Sequence, residues 1–375
     1  MFRILSLDGG GLRGSFGAGF LAAVERRLPA GRTLSGCFDL LAGTSTGGIL
    51  SAGLAAGLSA ADLVDFYRRR GPDIFPPRPK FTPRTSVRPI FPLANWLFKR
   101  KTGGAMDDLF RARYCPDALL DSFQEAFGAA KIGDVYHDRG SKLIVPAMNL
   151  SRGRVHIFRT PHLPDGALPA GVVRNRCDPC LQIADVLVAA TAAPTYFPHK
   201  VIGGEAYCDG GVFANNPTVL AVAEAVALAT ADDPDEPSLV TIDGGPGTAE
   251  YEDHENVENR GPSDFQKAVD VQGVEVLSVG TGRMNHSLSP PGGDAGMLYW
   301  ARHIADVMGN GMQQGAELPA EFFLGRRLTS VNFDIPDASY TLDAHDKIEH
   351  LFELGAAAAE DHGDRVLRRF VPAAA

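Results

Sequence analysis

Hydrophobic and polar positions along this chain follow two alternating patterns. Short apolar runs bounded by glycine or polar residues predict buried strands, and they span Phe2–Leu7, Phe38–Ala42, Lys142–Asn149, Val155–Arg159, Val201–Ile202, Ala206–Cys208, Val274–Gly280 and Leu328–Phe333. Longer apolar or amphipathic segments predict helices over Ser15–Leu28, Ile49–Ala56, Ser59–Arg70, Pro116–Phe127, Gln182–Thr191, Thr218–Ala229, Ala295–Met312 and Ala344–Ala359. Strands that alternate with helices favour an α/β fold around a mostly parallel sheet.

Two stretches interrupt the alternation. Residues 72–101 combine repeated prolines with aromatic and basic residues and end in Lys99–Lys101, so no regular element is expected there. This segment is a candidate for docking to anionic lipid headgroups; the alternative is a surface loop packed by its own aromatic side chains. Residues 243–273 are polar and acidic and predict an insertion or flexible loop. With a helical C-terminal portion at 295–375, we expect one domain over 1–375.

Composition narrows the functional classes. The formal net charge is -9 and the isoelectric point about 5.6, which argues against a protein that binds a nucleic-acid polymer. Neither a membrane-spanning apolar run nor a signal peptide is evident. The five cysteines are an odd, sparse set that suggests reduced thiols and a cytoplasmic protein. The C-x-x-C match at Cys177–Cys180 favours a loop with two free thiols over a zinc or redox site.

The richest chemical signal follows the apolar run Phe38–Ala42. There Gly43-Thr44-Ser45-Thr46-Gly47 matches G-x-S-x-G and leads into the small, apolar segment Ile49–Ala56. A strand, a sharp turn and a helix are the context in which G-x-S-x-G forms a nucleophile elbow with an exposed serine hydroxyl. The alternative is an ordinary glycine-rich turn. The sequence therefore makes Ser45 a candidate nucleophile.

A second glycine-rich loop follows the first predicted strand, in Asp8-Gly9-Gly10-Gly11-Leu12-Arg13-Gly14. It matches the dinucleotide-binding pattern G-x-G-x-x-G, but the acidic residue that should end the second strand is missing, since Asp39 begins that strand. The loop could instead be an oxyanion hole, in which glycine N–H groups stabilise a developing negative charge. Parallel pairing of the two strands would bring both loops to one edge of the sheet.

A serine nucleophile needs a base. The late histidines His286, His303, His345 and His350 do not lie in glycine-rich or strand-end turns, so a Ser-His-Asp triad is disfavoured. Asp209 ends a short predicted strand and is followed by Gly210-Gly211, a turn that can present one side chain into a cleft. The alternative for Asp-Gly-Gly is a simple tight turn.

The three signatures Asp8–Gly14, Gly43–Gly47 and Asp209–Gly211, in this order, resemble the patatin-like phospholipase family. Val276–Gly282 also resembles a later strand of that family, so the similarity extends over roughly residues 1–282. The resemblance implies a three-layer α/β/α sandwich and a Ser–Asp dyad that hydrolyses acyl esters of lipids without histidine.

Roles follow from the resemblance residue by residue. Ser45 would be the nucleophile and Asp209 its base. The oxyanion hole would comprise Gly9, Gly10 and Gly11, with Thr46 in addition. Arg13 would brace the glycine-rich loop or pair with a lipid phosphate. The motif glycines are Gly43, Gly47, Gly210 and Gly211.

These roles predict a lipid acyl hydrolase that works without cofactor or metal at the membrane surface on phospholipid. Some bacterial members of the family are antiviral effectors switched on by cyclic oligonucleotides, which makes such an activator a further expectation. The alternatives are a dinucleotide-binding oxidoreductase that uses Gly9-x-Gly11-x-x-Gly14, and a non-catalytic binding or storage protein on the same fold. The oligomeric state stays open.

Overall fold

A computed structural model describes residues 1–75, 112–163, 178–231, 273–284 and 296–371. Its eight described strands are β1 Phe2–Leu7, β2 Leu40–Gly43, β3 Lys142–Asn149, β4 Arg154–Arg159, β5 Lys200–Ile202, β6 Glu205–Asp209, β7 Val274–Val279 and β8 Leu328–Val331. All belong to one sheet, in which β3, β2, β1, β7 and β8 lie side by side and parallel. Strands β4, β5 and β6 extend it with antiparallel pairs.

The described helices cover both faces of this sheet. They are α1 Ser15–Glu25, α2 Thr46–Ala56, α3 Ala60–Ile74, α4 Asp117–Phe127, α5 Ile132–Arg139, α6 Ile183–Ala190, α7 Thr218–Ala231, α8 Met297–Leu324 and α9 Ile348–Phe370. Because successive side chains of a strand point to opposite faces, each strand serves two cores. In β1, Leu5 packs in the core that includes α1, α2 and α9, and Ile4 packs with α7 and α8. The predicted three-layer α/β/α sandwich is confirmed.

Strand β3 explains how distant segments meet. β4 pairs with β3 along Ile144–Asn149, while β2 pairs with its first residues and β6 with its last. A strand has only two hydrogen-bonding edges, so β2 and β6 share the edge that β4 leaves open. Asp209, at the end of β6, pairs with Ala147. It therefore lies just beyond the carboxyl end of β2, where the Ser45 turn begins.

The element boundaries differ from the sequence predictions at several places. Helix α3 continues past Pro72 to Ile74, because one lost backbone hydrogen bond is outweighed by burial of Tyr67 and Ile74. Helix α8 is more than a turn longer than predicted and also contains a proline, Pro319. Helix α5 was not predicted. Within the described residues, no helix is long and apolar enough to cross a bilayer.

Several predicted features lie outside the described residues. They include almost all of the proline-rich segment 72–101 and the acidic segment 243–273, as well as Cys177 and His286. Their roles, and the division of the chain into one domain with two insertions, stay predictions. The described cysteines Cys37, Cys115, Cys180 and Cys208 are free thiols.

Candidate active site

The turn between β2 and α2 is packed too tightly for any residue but glycine at its two ends. A Cβ atom at Gly43 would come within 2.1 Å of the Gly47 carbonyl oxygen. One at Gly47 would come equally close, at 2.1 Å, to the carbonyl oxygen of Leu7 in β1. These are backbone contacts that cannot move aside, so both glycines are required by the close approach of the chain to itself.

Ser45 occupies the apex of this turn in a strained conformation. Its φ of 53° and ψ of -120° lie in a region that residues with a Cβ atom rarely adopt. It is the N-cap of α2, yet its hydroxyl makes no capping hydrogen bond. Thr44 fixes the turn from the other side, because its hydroxyl donates to the Ala214 carbonyl oxygen over 2.7 Å. The Ser45 hydroxyl is thus held at the helix start and left available for chemistry.

Asp209 is held opposite by the turn that follows β6. The Gly211 N–H donates to Asp209 Oδ1 over 2.7 Å, which fixes the rotation of the carboxylate. A Cβ atom at Gly210 would lie 2.3 Å from the Pro146 carbonyl oxygen of β3. Gly210 therefore lets the turn pass close to β3, and Gly211 supplies the hydrogen bond.

The Ser45 hydroxyl lies beside the Asp209 carboxyl and, as a potential hydrogen-bond donor to it, lowers the pKa of that group. Both residues are buried, with 9 % and 4 % of their surface exposed. Burial raises the pKa of Asp209 to about 6, although Ser45 and Gly211 lower it. A carboxylate with this pKa is a stronger base than an ordinary aspartate and is still ionised at neutral pH. The pair can therefore transfer a proton from serine to aspartate.

The loop after β1 lies beside the serine. A Cβ atom at Gly9 would be 3.3 Å from Ser45 Cβ. The Gly9 N–H itself donates to the Asn215 carbonyl oxygen over 2.9 Å. In this arrangement it is therefore not available to an oxyanion, unlike the role assigned to it from the sequence.

The N–H groups of Gly10 and Gly11 donate to no other described residue. Gly11 adopts a positive φ of 58°, and a Cβ atom at Gly10 would collide with Thr281 at 2.3 Å. The Thr46 N–H lies at the N-terminus of α2, where amide groups point out of the helix. Gly10 and Gly11 follow Gly9, which lies against Ser45, and Thr46 follows Ser45 in the chain. Their role as an oxyanion hole stays a prediction.

Arg13 contacts the glycine-rich loop itself. Its Nε donates to the Gly10 carbonyl oxygen over 3.3 Å. Burial lowers the pKa of its guanidinium to about 10, while the nearby Tyr196 and Asp306 favour the charged form. The contact with Gly10 supports the bracing role, and a role in binding phosphate stays a prediction.

The positions of Asp39 and of the described histidines do not favour a dinucleotide site or a Ser-His-Asp triad. Asp39, at the amino end of β2, accepts a hydrogen bond from the Arg3 N–H and lies at the opposite edge from the glycine-rich loop. His350 is bonded to Tyr340 through Nδ1 over 2.6 Å. No histidine of the described chain is among the groups that act on the Asp209 carboxyl. In the same described ranges, no group of side chains is arranged to hold a metal ion.

Three residues that sequence reasoning did not assign to the site also reach this region. Asn215 Nδ2 and the Thr281 hydroxyl both donate to the Gly9 carbonyl oxygen. Gln313 of α8 donates to Asp8 Oδ2 over 2.8 Å. Asn215 lies in Asn215-Asn216-Pro217, just before α7, and Thr281 lies within Val276–Gly282, the stretch that resembles a later strand of the family. Gln313 is an interior helix residue, and only its position in space relates it to the site.

Comparison with known proteins is consistent with this geometry. A family model described as Patatin-like phospholipase matches residues 5–222, more than half of the chain. The chain is 34% identical over 233 residues to a cGAMP-activated phospholipase of Vibrio cholerae, an alignment that covers 59% of this chain and 57% of the relative. It is 35% identical over 233 residues to a protein of the same description from Escherichia coli, covering 59% and 55%.

The similarity also extends to a plant protein. Patatin-like protein 2 of Arabidopsis thaliana is 33% identical over 244 residues, covering 60% of this chain and 52% of that protein. The chain thus matches little more than half the length of these curated relatives. Human GIVD cytosolic phospholipase A2, a solved structure, aligns with a TM-score of 0.41 and 12% identity over 98% of this chain and 60% of that one, which is too distant to support an argument.

Proposed function

Because the chain belongs to the patatin-like phospholipase family, we propose that it is a lipid acyl hydrolase that cleaves fatty-acyl esters of phospholipids through an acyl-Ser45 intermediate. The observation that carries this proposal is the placement of the strained Ser45 beside the buried Asp209 carboxyl. A glycine-rich loop with two N–H groups that no described residue engages lies beside the pair. A binding or storage protein has no need for a base of raised pKa against a serine hydroxyl.

The reaction follows from the placement of these groups. Asp209 takes the hydroxyl proton as Ser45 Oγ bonds to the ester carbonyl carbon, and the carbonyl oxygen becomes an oxyanion. The N–H groups of Gly10, Gly11 and Thr46 stabilise that charge. The intermediate collapses, the leaving alcohol takes the proton from Asp209, and the acyl group stays on Ser45. Asp209 then removes a proton from water as the water oxygen bonds to the acyl carbon. The bond from that carbon to Ser45 Oγ breaks, the fatty acid is released, and Ser45 Oγ takes the proton back from Asp209.

The experiment that tests this proposal compares three variants on a soluble chromogenic fatty-acyl ester and on phospholipid vesicles. Ser45→Ala and Asp209→Asn are expected to lose hydrolysis by a factor on the order of 10³ or more. Ser51→Ala is the matched control, because Ser51 is a buried serine of the same helix α2 outside the dyad. Full activity in Ser45→Ala would contradict the proposal.

We also propose that a cyclic oligonucleotide activates the enzyme, because its bacterial relatives are described as cGAMP-activated phospholipases. The test is labelling of Ser45 by a fluorophosphonate, repeated with a panel of cyclic oligonucleotides. Labelling that rises with one member of the panel would support the activator. Equal labelling with and without every member, together with ester hydrolysis, would mean that the enzyme needs none of them.

The proposed reaction takes place at a membrane surface, and helix α8 supports this. Its Gln313 is hydrogen-bonded to Asp8, the residue just after β1. Helix α8 therefore passes the carboxyl edge of the sheet, the edge at which the parallel strands end. The sixteen residues from Met297 to Met312 then extend about 24 Å further. This projecting half carries four exposed apolar side chains, Met297, Trp300, Ile304 and Met308. Apolar residues on one helix face beside a lipid-cleaving site suit contact with a bilayer.

A further inference from the structure

Gln313 of α8 contacts the catalytic loops from a part of the chain that lies outside the family match. Its side-chain amide uses every hydrogen-bonding group it has. Nε2 donates to Asp8 Oδ2 over 2.8 Å and to Glu317 Oε1 over 3.0 Å. Oε1 accepts from Asn215 Nδ2 over 3.2 Å. Because Nε2 faces the carboxyl oxygens of Asp8 and Glu317, the orientation of the amide is fixed. In a flipped amide, Gln313 Oε1 would face those oxygens with no hydrogen between them.

Asn215 is oriented in turn. With one Nδ2 hydrogen on Gln313, the other reaches the Gly9 carbonyl oxygen over 3.2 Å. The backbone carbonyl of the same Asn215 accepts the Gly9 N–H over 2.9 Å. The Thr281 hydroxyl donates to the Gly9 carbonyl oxygen as a second partner. Gly9 is therefore held at both its N–H and its carbonyl.

Fixing the Gly9 carbonyl also fixes the next N–H. The carbonyl of Gly9 and the N–H of Gly10 belong to one planar, trans peptide group, so they point in opposite directions. With Asn215 and Thr281 on the carbonyl, the Gly10 N–H must face away from them. That N–H donates to no other described residue, and it belongs to the loop beside Ser45.

We propose that Gln313 is a positioning residue that aims the Gly10 N–H at the developing oxyanion, acting through Asn215 and the Gly9 peptide. The inference rests on the acyl-hydrolase function proposed above and extends it to a residue of the C-terminal helix. Asp8 and Glu317 anchor Gln313, Gln313 orients Asn215, and Asn215 with Thr281 sets the Gly9–Gly10 peptide. Gln313 itself never touches the substrate.

The first test measures kcat and KM of Gln313→Ala on a soluble fatty-acyl ester. A misaimed oxyanion donor weakens the transition state and leaves ground-state binding unchanged, so kcat should fall about ten- to a hundredfold while KM stays within about twofold. Gln314→Ala is the matched control, because Gln314 is the next residue of the same helix and is exposed. It should keep wild-type kcat. The melting temperature of each variant reports whether it is folded.

The second test uses Gln313→Glu, which keeps the shape of the side chain. An ionised glutamate cannot donate to Asp8 or Glu317, and its charge opposes that of Glu317 and the ionisation of Asp8, whose pKa burial already raises. Arg283 moderates this repulsion through its contact with Glu317 at 3.4 Å and through its charge near Asp8. When protonated, the new carboxyl regains a donor and an acceptor. The ratio of variant to wild-type kcat should therefore rise as the pH falls; dividing by wild type cancels the titration of Asp209.

A double-mutant cycle with Asn215→Ala completes the design. Residues that act through one relay should lose activity non-additively, so the double variant should be about as slow as the slower single variant. Wild-type kcat in a folded Gln313→Ala, an activity ratio of Gln313→Glu that does not change with pH, or fully additive losses would each overturn the relay. Absence of hydrolysis and of Ser45 labelling in the wild type, with activators present, would instead overturn the proposed function.

Discussion

At the scale of single residues, the site depends on a carboxylate held where water cannot solvate it. The Gly211 N–H and the Ser45 hydroxyl lower the pKa of Asp209, but they offset its burial only in part. Its pKa of about 6 therefore reflects a balance that favours the neutral form more than in water. Catalysis needs the ionised form, so the same burial that strengthens the base sets a lower pH limit on activity.

The pH dependence of kcat/KM should show this limit directly. On a soluble ester, we expect kcat/KM to fall tenfold per pH unit below an apparent pKa of about 6 and to level off above it. The measurement is a pH–rate profile of the free enzyme, with the melting temperature followed at each pH. A profile whose acid limb lies near pH 4, the range of an ordinary aspartate, would contradict the assignment of Asp209 as base.

Asp209 should also lower the stability of the fold. Below pH 3.8 the carboxyl is protonated in both the unfolded and the folded protein, and no penalty applies. As pH rises to about 6, only the unfolded chain ionises, so stability falls by on the order of 1–3 kcal/mol and stays lower.

Asp209→Asn removes this penalty and should melt higher than wild type above pH 6, with the difference shrinking toward pH 4. Calorimetry or fluorescence melting over that range measures it. Asp73→Asn, at an exposed aspartate of α3, is the control and should show no such trend. A lower melting temperature for Asp209→Asn at neutral pH would oppose the argument.

At the scale of elements, helices α1 and α9 pack backbone to backbone. A Cβ atom at Gly355 of α9 would lie 2.1 Å from the Phe16 carbonyl oxygen of α1. One at Gly19 would lie 2.6 Å from the Phe352 carbonyl oxygen. The missing side chains let the two helices approach this closely, and α1 begins directly after the glycine-rich loop.

Gly355→Ala is therefore expected to force the helices apart and lower the free energy of unfolding by about 1–3 kcal/mol. Gly17→Ala is the contrasting variant, because its new Cβ would meet Leu50 only at an ordinary 3.4 Å. Alanine's higher helix propensity should make that variant neutral or more stable by up to about 1 kcal/mol. Chemical denaturation measures both. Equal effects of the two substitutions would argue against the close packing of α1 on α9.

Local signals predicted several elements well. The helix predicted from Ser59 is α3, and Ser59 and Asp62 form a capping box at its start, with the Asp62 N–H donating to the Ser59 hydroxyl over 3.1 Å. Strands β3 and β4 also lie where the apolar runs predicted them. Elements that depend on tertiary packing were harder to predict from the sequence. A proline inside a helix usually predicts that the helix ends or kinks there. Helix α8 nevertheless continues past its proline, because Ala320 and Leu324 are buried against α7.

At the scale of the whole molecule, α8 has two exposed apolar regions at opposite ends. Met297, Trp300, Ile304 and Met308 lie on the half that projects past the carboxyl edge of the sheet. Leu318, Phe322 and Phe323 lie at the other end, which leads through Gly325–Arg327 into the start of β8. Only the first region is on the side of Ser45.

Replacing Met297, Trp300 and Ile304 by serine should therefore weaken binding to phospholipid vesicles by at least about tenfold, because three apolar side chains lose contact with lipid. Hydrolysis of a soluble ester should be unchanged. Vesicle co-sedimentation and ester assays measure the two effects. The same change at Leu318, Phe322 and Phe323 is the matched control and should leave vesicle binding intact. Equal losses from both triples would contradict a bilayer contact specific to the projecting half.

Local sequence patterns are enough to predict the parts of this protein that depend on neighbouring residues. The strand–turn–helix context of Ser45, the glycines that permit it, the loop after β1 and the strand-end position of Asp209 are all local patterns. The three-layer fold follows from strands that alternate with helices, since a sheet that is apolar on both faces must be covered on both. Recognition of the family followed from the order of these motifs.

Tertiary structure decided what those local patterns could not. Ser45 meets Asp209 because β2 and β6 share one edge of β3, a pairing that depends on long-range contacts. The Gly9 N–H is not available to an oxyanion, because it donates to the Asn215 carbonyl oxygen. Gln313 reaches the site because α8 crosses the end of β1. Hydrogen bonds between distant segments leave no periodic trace in sequence, and only the packed fold determines which polar groups are already satisfied.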